Sequence, residues 1–214
     1  MNATLLGNAT LPAFLLASLI LAATPGPGVL YIAARTLTQG RRAGLSSVAG
    51  VALGNLASAC AASIGLAALF AVSSLAFAVV KYAGAAYLIY LGVKTLRRGA
   101  VESSAAFGAA DLAAIFRDGF LVALLNPKTA LFFAAFLPQF VDPAAPALPQ
   151  SVLLGSLFVL IAVATDSLYV LTASTIQPAL TGHGPLRGLG RYLSAFALIG
   201  LGVLAAASET RTPR

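Results

Sequence analysis

Six apolar runs, at Leu11–Ala34, Leu45–Phe70, Leu75–Leu96, Gly119–Val141, Ser151–Thr175 and Leu189–Ala207, take up most of the 214 residues. Each is close to the roughly 20 residues that an α-helix needs to cross a bilayer. Hydrocarbon offers no partner to backbone amides and carbonyls, so such runs are restricted to helices that satisfy their own hydrogen bonds. Charged residues make up 9% of the chain, against about 25% in ordinary soluble domains. The expectation is an all-α membrane protein of six transmembrane helices, forming a single transmembrane domain over 1–214 with no room for a separate soluble domain.

The net charge of +7 is distributed by span and not as a nucleic-acid footprint. Arg35, Arg41 and Arg42 lie between the first two runs, and Lys94, Arg97, Arg98 and Arg117 bracket the third connection. Arg187 and Arg191 belong to the fifth, while the second and fourth connections carry no lysine or arginine. Positive residues mark cytoplasmic loops, which predicts a multi-pass protein with both termini outside. Arg211 and Arg214 run against that pattern. The first 34 residues contain no lysine or arginine, so the basic region of a secretory signal is not expected. Cys60 is the single cysteine and offers no intrachain disulfide.

The chain divides at the polar stretch Arg97–Asp111 into halves of about 1–98 and 112–208, with three runs each. The first run of each half is interrupted by proline, at Thr24-Pro25-Gly26-Pro27-Gly28 and at Asn126-Pro127-Lys128. Proline lacks a backbone donor and breaks the helical ladder. Three spans per half place the halves in opposite orientations, which predicts a 3+3 inverted repeat with the first helix of each half broken. Pro127 is ten residues from Arg117 and eleven from Pro138, so the break falls near mid-membrane.

Lys128 is the costliest residue in these runs. A charge at the bilayer centre costs at least about 2.5–3.5 kcal/mol on insertion scales, and ionisable groups at that depth mark ion or substrate paths. Asp166 lies equally deep in the fifth run. The two either form a fixed ion pair joining helices or border a substrate cavity. A helix restarting after Pro127 is expected to present uncapped amides and its positive pole, which with the Lys128 ammonium would receive a carboxylate. The break at Thr24, Pro25, Gly26 and Pro27 would offer freed carbonyls to an ammonium group or act as a hinge. Lys81 either joins this site or snorkels to the interface. Asn55 either lines the path or bonds between helices, as does Ser58, and Gly50 and Gly54 form a GxxxG spacing suited to close helix packing. Asp118 beside Arg117 reads as pairing at a cytoplasmic helix end, and His183 has no second ligand nearby.

No nucleophile–base set, metal-ligand cluster or phosphate-binding glycine loop occurs in the sequence, so no cofactor, metal or catalytic role is expected. The residues point to a transporter of small zwitterions; a passive channel and a non-transporting scaffold are the alternatives. Exposed small-residue faces are compatible with a homodimer.

Thr24-Pro25-Gly26-Pro27, the stretch Lys81–Gly92, and Leu125-Asn126-Pro127-Lys128 continuing into Phe136-Leu137-Pro138-Gln139-Phe140 together resemble the LysE/RhtB family of amino acid exporters. The resemblance covers about Leu21 to Tyr169. It implies a carrier in the bacterial inner membrane that exports amino acids or related metabolites, driven by the proton gradient, with no enzyme activity. It is closer to the neutral amino acid (threonine, homoserine, leucine) branch. Gly28 departs from the pattern, since many relatives have asparagine or aspartate there. Some relatives also carry a histidine near Ser58.

Overall fold

The computed structural model describes residues 10–62, 74–97, 109–142, 145–181 and 189–208. Most of the polar link between the halves, and His183, lie outside these residues. Eight α-helices follow in order: α1 (Thr10–Ala23), α2 (Pro27–Gln39), α3 (Arg41–Ala61), α4 (Ser74–Arg97), α5 (Ala109–Leu124), α6 (Pro127–Ala135), α7 (Ala147–Thr181) and α8 (Leu189–Ala207). A 3-10 turn at Leu137–Phe140 extends α6, and there is no strand among the described residues.

Proline sets the two interruptions. Pro27 and Pro127 each occupy the first turn of the helix they open, where a missing amide costs nothing. The paired segments Leu11–Ala23 and Pro27–Gln39 meet at 46°, and Asp111–Leu124 and Pro127–Phe140 meet at 50°. Each break divides its pair evenly. By length and composition, α3, α7 and α8 can each cross a membrane, and the two bent pairs raise the number to five.

The distribution of polarity is that of a membrane protein. Leu16, Ile20, Leu160, Phe196 and Leu204 are exposed, while Arg35, Asn55, Lys81, Asp118, Asn126 and Asp166 are buried. Water would reverse that arrangement; lipid permits the exposed leucines and forces the charges inward.

Two apolar clusters form the interior. One joins Tyr31, Ile32, Val51, Val122, Val170 and Leu198 from α2, α3, α5, α7 and α8. The other joins Phe14, Ala22, Phe133, Leu137, Phe158 and Ala162 around α1, α6 and α7. Within the second, Phe14 meets Phe140 edge-on at 5.2 Å and Phe133 meets Phe158 at 5.1 Å, a geometry aromatic quadrupoles favour.

Helices α3 and α5 form the most extensive pairing, and the Gly50/Gly54 spacing explains it. A Cβ on Gly50 would run into the carbonyl of Phe116, and one on Gly54 would lie 2.6 Å from that of Phe120. Their absence lets the two backbones touch. Gly40 makes the corner between α2 and α3 in one residue, at φ 84°, a left-handed conformation that favours glycine.

The largest departures from the expected boundaries fall in the fourth and fifth runs. The fourth run begins near Asp111, not at Gly119, because Arg117 and Asp118 sit inside α5 and Asp118 is fully buried. The fifth continues past Thr175 to Thr181 through Pro178; a proline near a helix end disturbs few ladder bonds.

Candidate functional site

The two breaks meet. Lys128, in the first turn of α6, sends its ammonium to the end of α1, where Nζ donates to the carbonyl oxygens of Leu21 at 2.9 Å and Thr24 at 2.6 Å. Tyr169 of α7 donates its hydroxyl to the carbonyl of Ala23 at 2.9 Å. The last carbonyls of a helix have no partner within it and form the negative end of its dipole. A cation and a hydroxyl from the other half of the chain therefore cap α1.

Asn126 caps α6 locally. Its Oδ1 accepts from the Lys128 amide at 3.1 Å, and its Nδ2 donates to Thr129 Oγ1 at 2.9 Å. The expectation of uncapped amides after Pro127 is thus corrected at Lys128, whose amide the preceding asparagine already holds. The freed carbonyls of the first break are likewise occupied, by Lys128. Gly26 admits that lysine, since a Cβ there would lie 3.2 Å from Lys128 Cδ.

Around this crossing is a cavity of about 40 Å³, lined by Thr24, Gly26, Gly28, Asn55, Asn126, Lys128, Thr129 and Asp166 with apolar walls from Val51, Phe158 and Ala162. It lies where the two apolar clusters adjoin, drawing Val51 from one and Ala22, Phe158 and Ala162 from the other. One water needs only about 10–15 Å³, so a few fit.

Asp166 is 5% exposed and makes no hydrogen bond or salt bridge among the described residues. It shares the cavity with Lys128, but no ion pair joins them, so the fixed-pair alternative is not the arrangement present. A buried carboxylate without a partner costs several kcal/mol. A bound cation or proton would relieve that cost. Asn55, also 5% exposed, has an Oδ1 without a hydrogen-bond partner among the described residues.

Of the residues singled out in the sequence, Thr24, Gly26, Asn55, Asn126, Lys128 and Asp166 come together on the cavity. Pro25, Pro27 and Pro127 shape the breaks without lining it. Lys81 is elsewhere. It is 3% exposed; its ammonium donates to the carbonyl of Ser208 after α8 and lies 4.8 Å from the Tyr82 ring centroid. Ser58 turns to its own helix, donating to the Gly54 carbonyl at 3.0 Å.

The sequence reading missed a second polar centre. Asp118 accepts from Arg35 at 3.1 Å and from the Tyr87 hydroxyl at 3.0 Å, with Lys94 at 3.5 Å and Arg117 at 3.7 Å. Tyr31 extends the network to the carbonyl of Ile115 at 2.8 Å. One buried carboxylate thereby balances cations from α2, α4 and α5. The available signal was charge count: several basic residues approach one side of these runs, and Asp118 is the acidic residue immediately before the fourth run.

A model of the family described as LysE type translocator matches residues 19–209. The chain is 33% identical over 190 residues to the homoserine/homoserine lactone efflux protein of Salmonella typhimurium, covering 88% of this chain and 92% of that protein. It is 35% identical over 144 residues to an uncharacterized membrane protein of Vibrio cholerae, covering 67% and 70%. It is 33% identical over 140 residues to the leucine efflux protein of Salmonella choleraesuis, covering 62% and 64%. No solved structure matches the chain significantly. A family match over nearly the whole length, on a helical chain whose exterior is apolar and whose charges converge inside, establishes the class: the chain belongs to the LysE type translocators, a family of membrane transporters and not of enzymes.

Proposed function

We propose that this protein is a secondary exporter of amino acids or close derivatives across the bacterial inner membrane, coupled to the proton gradient. The observation that carries the reading is the cavity where both broken helices meet, bordered by a cation, Lys128, and a carboxylate, Asp166, that makes no hydrogen bond or salt bridge among the described residues. Opposite charges facing one small polar space suit a zwitterion. Relatives named for homoserine and leucine efflux support that substrate class.

In this reading, Lys128 attracts the substrate carboxylate and Asp166 receives its ammonium or the coupling proton. An arriving carboxylate competes with the carbonyls of Leu21 and Thr24 for the Lys128 ammonium. Release of those carbonyls loosens the link between α1 and α6, so binding is tied to motion at the breaks. Such a shift requires the ligand to favour one arrangement over the other, and competition for one ammonium supplies that preference.

The architecture behind this proposal is a 3+3 inverted repeat with halves 1–98 and 112–208, both termini outside, and α4 as the remaining span. At ~1.5 Å per residue its 24 residues exceed the hydrocarbon thickness. The packing supports it: exchanging the halves turns the α3–α5 pairing into α7–α1, and α2–α8 into α6–α4, and all four pairings occur.

Efflux from proteoliposomes loaded with a panel of amino acids, with and without an imposed pH gradient, tests the reading. Saturable, gradient-stimulated efflux is expected. Flux that neither saturates nor responds to the gradient would identify a passive channel.

A further inference from the structure

The polarity of the site, which end of the substrate goes where, follows from an asymmetry between the two breaks. At α6, the Asn126 side chain holds the Lys128 amide and the Thr129 hydroxyl. At α2, the corresponding position is Gly26, whose extended backbone carries no side-chain cap. Pro27 has no amide, Leu30 donates to the Gly26 carbonyl, and the amides of Gly28 and Val29 donate to no group among the described residues. Gly28 and Val29 both line the cavity.

A second observation points to a ligand there. Asn55, on α3, lines the same cavity with an unpartnered, buried Oδ1. It lies one turn from Val51, whose Cγ1 would be 3.3 Å from a Cβ on Gly28, so both features face one space. Asn55 Oδ1 and the Asp166 carboxylate are acceptors only. The uncapped α2 amides are donors only, and the Lys128 ammonium stands beside them, 3.6 Å from a Cβ placed on Gly26. A helix N-terminus with free amides receives anions, and glycine at positions 26 and 28 leaves its backbone open to approach.

We infer that the cavity binds an α-amino acid with its carboxylate on the uncapped N-terminus of α2, beside Lys128, and its ammonium on Asn55 Oδ1 and Asp166. The inference rests on the amino acid export reading and adds two things to it. The carboxylate is assigned to the amides of α2 and not to those of α6, and Asn55 becomes a specificity residue for the amino group.

The test is equilibrium binding of radiolabelled L-homoserine or L-leucine, whichever the wild type binds more tightly, to the full-length protein in detergent. The decarboxylated amine and the deaminated acid of the same skeleton serve as competitors. Gly26→Ser supplies a hydroxyl that caps α2 and competes with the carboxylate, and Gly26→Ala adds the same Cβ without an acceptor. Relative to G26A, G26S is expected to weaken amino acid binding about tenfold while leaving competition by the amine unchanged. Equal affinities of G26S and G26A overturn the anion pole.

Asn55→Leu decides the other pole even if G26S does not fold. It is expected to weaken the amino acid about tenfold and to leave the deaminated acid unaffected; equal effects on both, or none, overturn the role of Asn55. A wild type that neither binds nor exports any amino acid overturns the export reading itself. A wild type that binds, with unaffected variants, overturns only the orientation.

Discussion

The ammonium of Lys128 donates to the carbonyl oxygen of Thr24 at 2.6 Å, joining two interrupted helices at their interruptions across 104 positions of sequence. A cation in the first turn of α6 thus completes the C-terminus of α1. Lys128→Ala would leave the carbonyls of Leu21, half-buried, and Thr24, exposed, without this donor, and a hydrogen bond to a charged group contributes about 1.5–3 kcal/mol, less where the group is exposed. Both a lower melting temperature in detergent and loss of efflux from proteoliposomes are expected. Full efflux by the variant would remove Lys128 from the proposed site.

Asp166→Asn keeps the shape of the side chain and removes its charge. Because Asp166 makes no hydrogen bond or salt bridge among the described residues, the substitution is expected to leave thermal stability unchanged or slightly raised, since a desolvated charge is relieved. Efflux driven by a pH gradient should fall, on the order of tenfold or more, the scale of a lost charge-assisted interaction. An unaltered response to the gradient would count against Asp166 as an ammonium or proton acceptor.

Asp118→Asn should act in the opposite manner. Removing one partner from a buried charge cluster costs about 3–5 kcal/mol, and here it leaves Arg35 without its carboxylate at 3.1 Å. Expression in the membrane should drop, and Arg35→Leu in the same chain should restore part of it by removing the cation that faced the carboxylate. Undiminished stability of the single variant, measured by thermal unfolding in detergent, would contradict the network.

Gly50→Leu places a side chain where the Phe116 carbonyl already sits. Overpacking of this kind costs about 1–3 kcal/mol or more, so separation of α3 from α5 and loss of folded protein are expected. Size-exclusion profiles after solubilisation would show it. Lys81→Met makes a useful contrast: the lost link to Ser208 should lower stability while substrate affinity stays at the wild-type value, because Lys81 lies outside the cavity.

Much of this protein was legible from local pattern. The apolar runs, the proline breaks and the buried charges are each contained in a few consecutive residues, and the physics of hydrocarbon makes them informative: a polar group in such a run must face protein or water. The asparagine cap on α6 is also local, because Oδ1 of Asn126 reaches an amide two residues ahead. Sequence alone therefore determined a helical membrane protein with two mid-span interruptions and brought Lys128, Asp166, Asn55 and Thr24 to notice. It did not determine their pairing. Asp166 was the partner for Lys128 by charge, yet the lysine donates to the end of α1, whose last carbonyls have no partner within their own helix. Asp118 was read as pairing with its neighbour Arg117 at a helix end; it does approach Arg117 at 3.7 Å, but it is buried inside α5, where Arg35 of α2 and Lys94 of α4 also reach it. Those outcomes depend on where helices distant in sequence come to lie, and only the tertiary structure decided them.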